Sequence, residues 1–573
     1  MTTSLQPLSS QAQDTSLKRA SVRRVGANVG YKPLALIVLL GLVPRFYWMA
    51  TQTPVISLDG SEYVRMAENL ASGKGLIGNF PGFETMYTPL LSVLTAGFDL
   101  VTRNAELAAH LICVIFGAAL IIPVFFIARR MYGLRVAYLA AVLVAVHPLL
   151  IALSGSIYNE NVYLTLLLVG VYFGMRSLEY RKNRDYVLLG LFLSLAYLTR
   201  PEAFAYPIFF VLAIWVSVII ARVSVRRAAL GSALILGIFI LFASPYIAFL
   251  DRHTGHVRLE GKWDINYTIA NRIRSGMNYP EASYGLGQDA SIAGPLLDPF
   301  RFASYTSYSN SLASKMETLL AMAKVNRQQV PGIMRDGAIG GPILFALMLI
   351  GLFRKSWSPR RLFHETILIC MVISVLFLMA TASDAEFRYV LPFVALSIIW
   401  VAKGIDEVGQ WTRSLASSLQ WQLLPKSRSM GLLAQMMLLL LFLGVALRGT
   451  RMNGMFLSEQ ARYADLKHAG LWLENLRPGP KRIACMGTIP TYYAQGTIIG
   501  LPYANSSQAL RYFELNKVDF IVLDCHYSLV LPEVAQWMKY GIPDSRARLI
   551  YKTGADASNG IEIYRWERSP RSL

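Results

Sequence analysis

Charge is scarce in this sequence: Asp, Glu, Lys and Arg together make up only 16% of its 573 residues. Soluble globular domains carry about 25%, so an ordinary water-facing surface is excluded. Cysteine is scarce too. Four residues are too few for a disulfide scaffold, and their spacing matches no metal-ligand pattern. No small-residue cleavage site follows the first apolar block, which therefore reads as an uncleaved first helix and not as a signal peptide. No repeat relates one half of the chain to the other, which counts against the internally symmetric folds common among transporters.

What the chain has instead is hydrophobicity in blocks. Hydrophobic residues make up 54%, and the mean hydropathy is +0.41. A bilayer core about 30 Å thick takes roughly 20 apolar residues per helix. Segments approaching that length stand at about 33–51, 106–128, 136–153, 160–176, 186–199, 203–221, 229–250, 338–353, 363–381, 390–403 and 430–448. The spans at 186–199 and 390–403 are short. The fold class that follows is a polytopic α-helical membrane protein with about 11 transmembrane helices.

Lys and Arg number 55 against 35 Asp and Glu, a formal charge of +20. This excess does not point to nucleic acid, because the basic residues cluster in short loops between apolar blocks. Arg129, Arg130 and Arg135 form one cluster. Arg176, Arg181, Lys182 and Arg184 form the next, followed by Arg222, Arg226 and Arg227, then Arg354, Lys355, Arg360 and Arg361. The short loops between them carry almost none. Positive-inside places the tail 1–32, with Lys18, Arg19, Arg23, Arg24 and Lys32, in the cytoplasm of a cell with an inner (plasma) membrane. An odd number of spans then puts the C-terminus outside. The organisation is a tail at 1–32, a membrane unit at 33–448 with external segments 52–105 and 251–337, and an external domain at 449–573. That last domain reads as α/β: helical spacing over Ser458–Leu476, then strand-like runs at Arg482–Met486, Phe520–Asp524, Leu549–Tyr551 and Ile561–Trp566. Cys485 and Cys525 each end one of those strands, and either a disulfide or two buried thiols suits them.

Candidate chemistry lies on the outer segments. Asp59 stands in Ser57-Leu58-Asp59-Gly60-Ser61-Glu62-Tyr63, directly after the first span, and Gly82–Leu90 carries Glu84 and Tyr87. Partial desolvation at a membrane edge raises a carboxylate's pKa and makes it a better proton acceptor, so Asp59 is the first candidate for a general base. The alternative is that Asp59 caps the helix beginning near Glu62. Glu160 is the sole charge in a short loop between two apolar helices, where an acid usually has a partner; otherwise it is a solvated acid at a helix start. Arg200, in Thr199-Arg200-Pro201-Glu202, and Arg388, in Phe387-Arg388-Tyr389, suit a lipid phosphate, since a guanidinium grips phosphate oxygens in pairs. The competing reading is ion pairing of Arg200 with Glu202, and of Arg388 with Asp384 or Glu386. His253 and His256, with Glu84 as a distant third ligand, are candidates for a divalent metal, although a plain polar loop fits the same spacing.

These residues resemble the GT-C superfamily of integral-membrane glycosyltransferases, near the protein O-mannosyltransferases and the lipid A aminoarabinose transferases. The resemblance rests on the first-loop acid Asp59, the Tyr87-Thr88-Pro89-Leu90 stretch, Glu160 before the fourth span, the Thr199–Glu202 turn and the Phe387–Pro392 segment, with an external α/β domain at the end. Many members place Asp and Glu side by side in the first loop; here Gly60 follows Asp59. The resemblance implies a polyprenyl-phosphate-linked sugar donor and an acceptor hydroxyl on a glycan, lipid or protein. It implies Asp59 as base, Glu160 as a supporting acid, and Arg200 and Arg388 as phosphate ligands. Glu62, Tyr63, Glu84, Tyr87, Glu202 and Tyr389 complete the candidate substrate-binding set. No cofactor is required by the pattern, and a divalent metal is left open. A flippase of lipid-linked glycan, or a glycan polymerase or ligase, is the alternative.

Overall fold

The computed structural model describes residues 31–568 apart from 221, 288–293, 298, 300–311, 337–340, 382–386, 419–426, 453–457 and 555–559. Most of the N-terminal tail, with its basic residues up to Arg24, lies outside the described residues. Among those described, eight helices are long and apolar enough to cross a bilayer, and a ninth span arises if the bent pair Leu134–Val146 and Pro148–Gly155 is one crossing. Two of the expected segments form shorter helices, Asn183–Tyr197 of 15 residues and Gly341–Phe353 of 13. Conversely, the segment expected to be short at 390–403 belongs to a 28-residue helix, Leu391–Ser418. Lys403, Asp406 and Glu407 ended the apolar run in the sequence, yet all three are buried in the structure. This helix is the core of the bundle, whereas Tyr31–Thr51 and Ser429–Gly449 present most of their surface outward, as lipid-facing helices do.

The bent pair turns by 52° at His147. Pro148 lacks an amide hydrogen and pushes its predecessor into extended backbone, and His147 has φ −65° and ψ 116°. The break frees carbonyls that lipid cannot satisfy. Arg45, fully buried in the first helix, donates to Val144 O and Ala145 O at 3.0 Å each and to Gly41 O at 2.7 Å. A guanidinium thus replaces the missing helical donors.

The basic clusters read as topology signals also have partners inside the protein. Arg361 pairs with the buried Glu365, which accepts from Trp400 Nε1 at 2.7 Å. Arg354 and Lys403 pair with Glu407, Arg176 with Asp185, and Arg130 with Glu179. All lie at the end of the bundle away from Glu160, since Glu160 opens the helix Glu160–Tyr180 and Arg176 and Glu179 close it.

Residues 458–568 form the expected α/β unit. A five-stranded sheet has the order β2-β1-β3-β5-β4, with β1 Arg482–Cys485, β2 Thr497–Gly500, β3 Phe520–Asp524, β4 Ala547–Lys552 and β5 Ile561–Trp566. β1 pairs in parallel with β2 and β3, and β5 runs antiparallel to β3 and β4. The strand period of two divides its side chains. Ile483, Cys485, Phe520, Val522, Ile561 and Ile563 join the main core, while Ala484, Ile521, Leu523, Tyr564 and Trp566 build a second core under the helices Ser506–Leu515 and Pro532–Tyr540. Cys485 and Cys525 fall into different cores and are both unbonded thiols.

Candidate active site

The helix Leu58–Ala71 settles the role of Asp59 locally. Its cap is Ser57, whose Oγ accepts from Gly60 N at 3.1 Å. Asp59 therefore does not cap the helix, and its carboxylate reaches two distant residues. Oδ1 accepts from Tyr87 OH at 3.0 Å, and Oδ2 is paired with the Arg388 guanidinium. Arg388 sits in the single turn Phe387–Val390 and lies 5.7 Å over the Tyr158 ring. Asp384 and Glu386, its expected partners, lie outside the described residues.

Glu160 is buried and has the partner expected of a membrane-edge acid. Arg200 bridges it to Glu202, with Nη1 on Glu160 Oε1 and Nε on Glu202 Oε1 at 2.5 Å. The guanidinium lies between the rings of Tyr163 and Tyr389, at 5.7 and 5.4 Å. Tyr63 OH accepts from Asn159 Nδ2 at 2.6 Å, and its ring meets that of Tyr87 edge-on at 5.3 Å. Asp59, Tyr63, Glu160, Arg200, Glu202, Arg388 and Tyr389 all line one cavity of about 240 Å³. Its apolar wall includes Phe204, Leu319, Met322 and Leu378.

The electrostatics reverse one expectation. Burial does push the Asp59 carboxyl up, but the charges of Arg388 and Lys262 and the hydrogen bonds from Arg388 and Tyr87 outweigh it and hold the pKa at about 2. Desolvation loses because two cations stand beside the group.

Glu62, Glu84 and Tyr87 stand just outside the cavity lining. A Cβ on Gly78 would lie 2.2 Å from Glu62 Oε2 and 3.1 Å from Glu84 Oε2, so only glycine lets the two carboxyls flank this loop. Glu62 Oε2 accepts from Asn79 N at 2.9 Å; Glu84 Oε1 accepts from Met86 N at 2.6 Å and from Tyr87 N at 3.2 Å. Glu84 thereby fixes the turn that aims Tyr87 at Asp59. Burial raises both carboxyls above the usual range, and at Glu62 the neighbouring Glu84 charge adds to it.

Sequence reasoning missed one wall of the site. Glu260, Lys262, Trp263 and Asn266 line the cavity, and Lys262 Nζ lies 4.4 Å from the Tyr87 ring centre. The run Glu260-Gly261-Lys262-Trp263 passes against the first outer segment, where a Cβ on Gly261 would fall 1.9 Å from Thr85 O. A glycine between two opposite charges, followed by Trp, was the available signal.

The proposed metal ligands are not gathered. His253 stacks on Phe83 and Phe249 at 4.2 and 4.4 Å and binds Phe249 O through Nδ1 at 2.8 Å. Among the described residues the one group with ligand atoms in mutual reach is Asp524, Cys525 and His526, within 4.8 Å. Its carboxylate is already taken by Arg462 Nε at 2.8 Å and by His526 N at 3.0 Å, so it caps the single turn Cys525–Leu529 beside a resident cation. No metal or cofactor is established for this chain.

The C-terminal sheet domain packs directly on the helix that carries Asp59. Thr488 Oγ1 donates to Leu58 O at 2.9 Å, and Arg65 Nη2 donates to Tyr492 O at 2.7 Å. Ile498 N donates to Asn79 O at 2.9 Å, which ties β2 to the same loop that flanks Glu62.

Residues 87–248 match the family model of dolichyl-phosphate-mannose-protein mannosyltransferases. No curated protein matches in sequence. Among solved structures, the oligosaccharyltransferase of Archaeoglobus fulgidus in its apo form superposes with a TM-score of 0.58 and 15% identity, over 95% of this chain and 75% of that one. The same archaeal enzyme, AglB, in complex with an inhibitory peptide and a dolichol-phosphate gives 0.53 and 13%, with the same coverage. ArnT from Cupriavidus metallidurans bound to undecaprenyl phosphate gives 0.52 and 13%, over 93% of this chain and 98% of that one. The chain has the GT-C fold: a multi-pass helical bundle with a small sheet domain.

Proposed function

We propose that this chain, a multi-pass membrane protein of the GT-C fold, moves a sugar from a polyprenyl-phosphate donor to an acceptor hydroxyl on the outer face of the cell inner membrane. The observation that carries this reading is the single cavity in which an ionised carboxylate, Asp59, shares its surroundings with three cations, Arg200, Arg388 and Lys262, against an apolar wall. That combination suits a phosphate on a lipid. The ArnT structure it resembles is bound to undecaprenyl phosphate, and an AglB structure is in complex with a dolichol-phosphate. The location of the site away from the basic clusters supports an outward-facing cavity.

In this reaction the acceptor oxygen forms a bond to the anomeric carbon and gives its proton to Asp59, while the bond from that carbon to the phosphate oxygen breaks. The departing phosphate keeps the electron pair, and the guanidinium groups and Lys262 stabilise its charge. The pairing of Asp59 with Arg388 gives the donor a second task. A carboxylate held at about pKa 2 is a poor base. A donor phosphate that takes Arg388 neutralises that cation and leaves Asp59 buried beside less positive charge, which raises its proton affinity. The donor thus prepares the base. The protein's own cations at the cavity, Arg200, Arg388 and Lys262, are placed to meet the charge of the phosphate.

The direct test is turnover. The protein in nanodiscs, given a panel of undecaprenyl-phosphate sugars and hydroxyl acceptors, is expected to release undecaprenyl phosphate, detected by mass spectrometry. Asp59→Asn is expected to cut the rate of that release by about a hundredfold or more without lowering the thermal midpoint. Release at the wild-type rate in Asp59→Asn refutes the assignment of the base.

A further inference from the structure

The cations of the cavity account for a lipid phosphate, but not for the wall built by the second outer segment. Glu260 is anchored there by Lys262 N, which donates to Oε2 at 3.1 Å, while Oε1 is buried with no hydrogen-bond partner. An unsatisfied buried carboxyl oxygen is costly, and this one lines the cavity, where a ligand hydroxyl can reach it. Burial, with a contribution from the nearby Glu202, holds this carboxyl up at about 7, so it stands close to the boundary between accepting and donating. Gly261 fixes the position of the run against Thr85, as described above. The helix that follows, Trp263–Arg274, presents Trp263, Asn266, Tyr267 and Ala270 to the same cavity, a spacing of three, four and seven that defines one helix face. Half of the Trp263 surface remains exposed.

A carboxyl with an open valence, a primary amide and an indole plate are the groups that bind a polyhydroxylated ring: the polar groups take hydroxyls and the aromatic face covers the C–H surface. The carboxyl at their centre repels a phosphate when ionised. We propose that Glu260, with Asn266 and Trp263, forms the subsite that selects the transferred sugar, the Glu260 carboxyl binding one of its hydroxyl groups. This rests on the reading that the donor is a polyprenyl-phosphate sugar. It assigns the sugar to Glu260, Trp263 and Asn266, and the phosphate to Arg200, Arg388 and Lys262, the last of which stands between the two groups.

The test separates the two groups of residues. Full-length protein in nanodiscs is titrated with undecaprenyl phosphate alone and with undecaprenyl phosphate carrying mannose, glucose or arabinofuranose, with binding read by native mass spectrometry. In the wild type at least one glycosylated lipid is expected to bind more tightly than the bare lipid phosphate. Glu260→Gln is expected to cut that preference roughly tenfold, the loss of one hydrogen bond to an ionisable group. Its affinity for bare undecaprenyl phosphate should stay within about twofold, well under the 1.4 kcal/mol of a decade. Trp263→Leu should reduce the same preference and Trp263→Phe restore much of it, which tests the subsite independently should the Glu260 variant fail to fold. An unchanged preference in both variants, or equal losses for bare and glycosylated lipid, overturns the subsite and leaves the proposed function standing. A wild type that prefers no sugar on the panel overturns the subsite too. A wild type that binds none of the lipids overturns both.

Discussion

Two buried ion clusters stand at opposite ends of this bundle, built from the same residue types and put to different uses. At the basic end Glu365 is enclosed: Arg361 Nε donates to it at 3.1 Å, Trp400 Nε1 at 2.7 Å, and the Tyr132 hydroxyl completes the set. Neither Glu365 nor these partners line the cavity that holds Asp59. At the other end Asp59 and Glu160 pair with Arg388 and Arg200, but every one of these side chains also lines the cavity, and Glu160 Oε2 is left without a partner. A carboxylate whose partners are all packed contributes only to folding. A carboxylate whose partner also faces open space can exchange it. Burial and ion pairing are therefore common to structure and function here, and the adjoining cavity separates them.

The sharpest way to break this comparison is to remove the acid at each end. Asp59→Asn is expected to lower turnover by about 10² to 10⁴. It should also release Arg388, so that undecaprenyl phosphate binds more tightly than to the wild type in the same nanodisc titration. Weaker binding there would mean that Asp59 and the phosphate do not compete. Glu365→Ala should do the opposite: it is expected to cost about 3 kcal/mol by leaving the half-buried Arg361 charge with only the carbonyls of Gly351, Leu352 and Lys355 and by removing the acceptor of Trp400, seen as a lower thermal midpoint, while the lipid affinity of the folded fraction stays at the wild-type value. A smaller change probes the guanidinium itself. Arg388→Lys keeps the charge but loses the paired grip, and lipid phosphate affinity is expected to fall about tenfold with little change in stability.

Much of the architecture was legible because hydropathy is a local signal. Each of the eleven apolar segments falls on helical structure, 136–153 on the bent pair, and the C-terminal unit emerged with four of its five strands. The fifth, Thr497–Gly500, ends in one glycine and follows another, Gly496, so its two apolar residues are lost between turn signals. Lys403 and Glu407 misled the reading because they neutralise each other inside the bundle at hydrogen-bonding distance, 2.5 Å. The site was legible as residue types and not as pairs. Asp59 and Arg388 are 329 positions apart, and Glu160 and Arg200 are 40 apart. No local rule links them, so partners were sought among sequence neighbours. The same distance explains why Asp59 was expected to have a raised pKa: the desolvation was foreseeable from its place at a helix end, whereas the two cations that reverse it come from the second outer segment and a late turn.

The smallest expected effect tests a third pair, Glu62 and Glu84, which stand behind the cavity with one unpartnered oxygen each. Both carboxyls are raised, by burial foremost, so the folded protein holds protons that the unfolded chain gives up near its ordinary Glu value of about 4.3. The sign follows. The stability contributed by the pair is fully present below that value and is lost as pH rises through the elevated native values. Arg65, which lowers Glu62, and Lys262, which lowers Glu84, temper the loss. A decline of about 1 kcal/mol across the neutral range is expected, read as a falling thermal midpoint from pH 5 to pH 9. Glu84→Gln should flatten it, because an amide neither ionises nor repels Glu62. The same variant keeps Oε1 for Met86 N and Tyr87 N, so the turn that directs Tyr87 to Asp59 survives and lipid binding should not change. A slope that persists in Glu84→Gln would place its origin in another group, and lost lipid binding would mean that the pair belongs to the cavity after all.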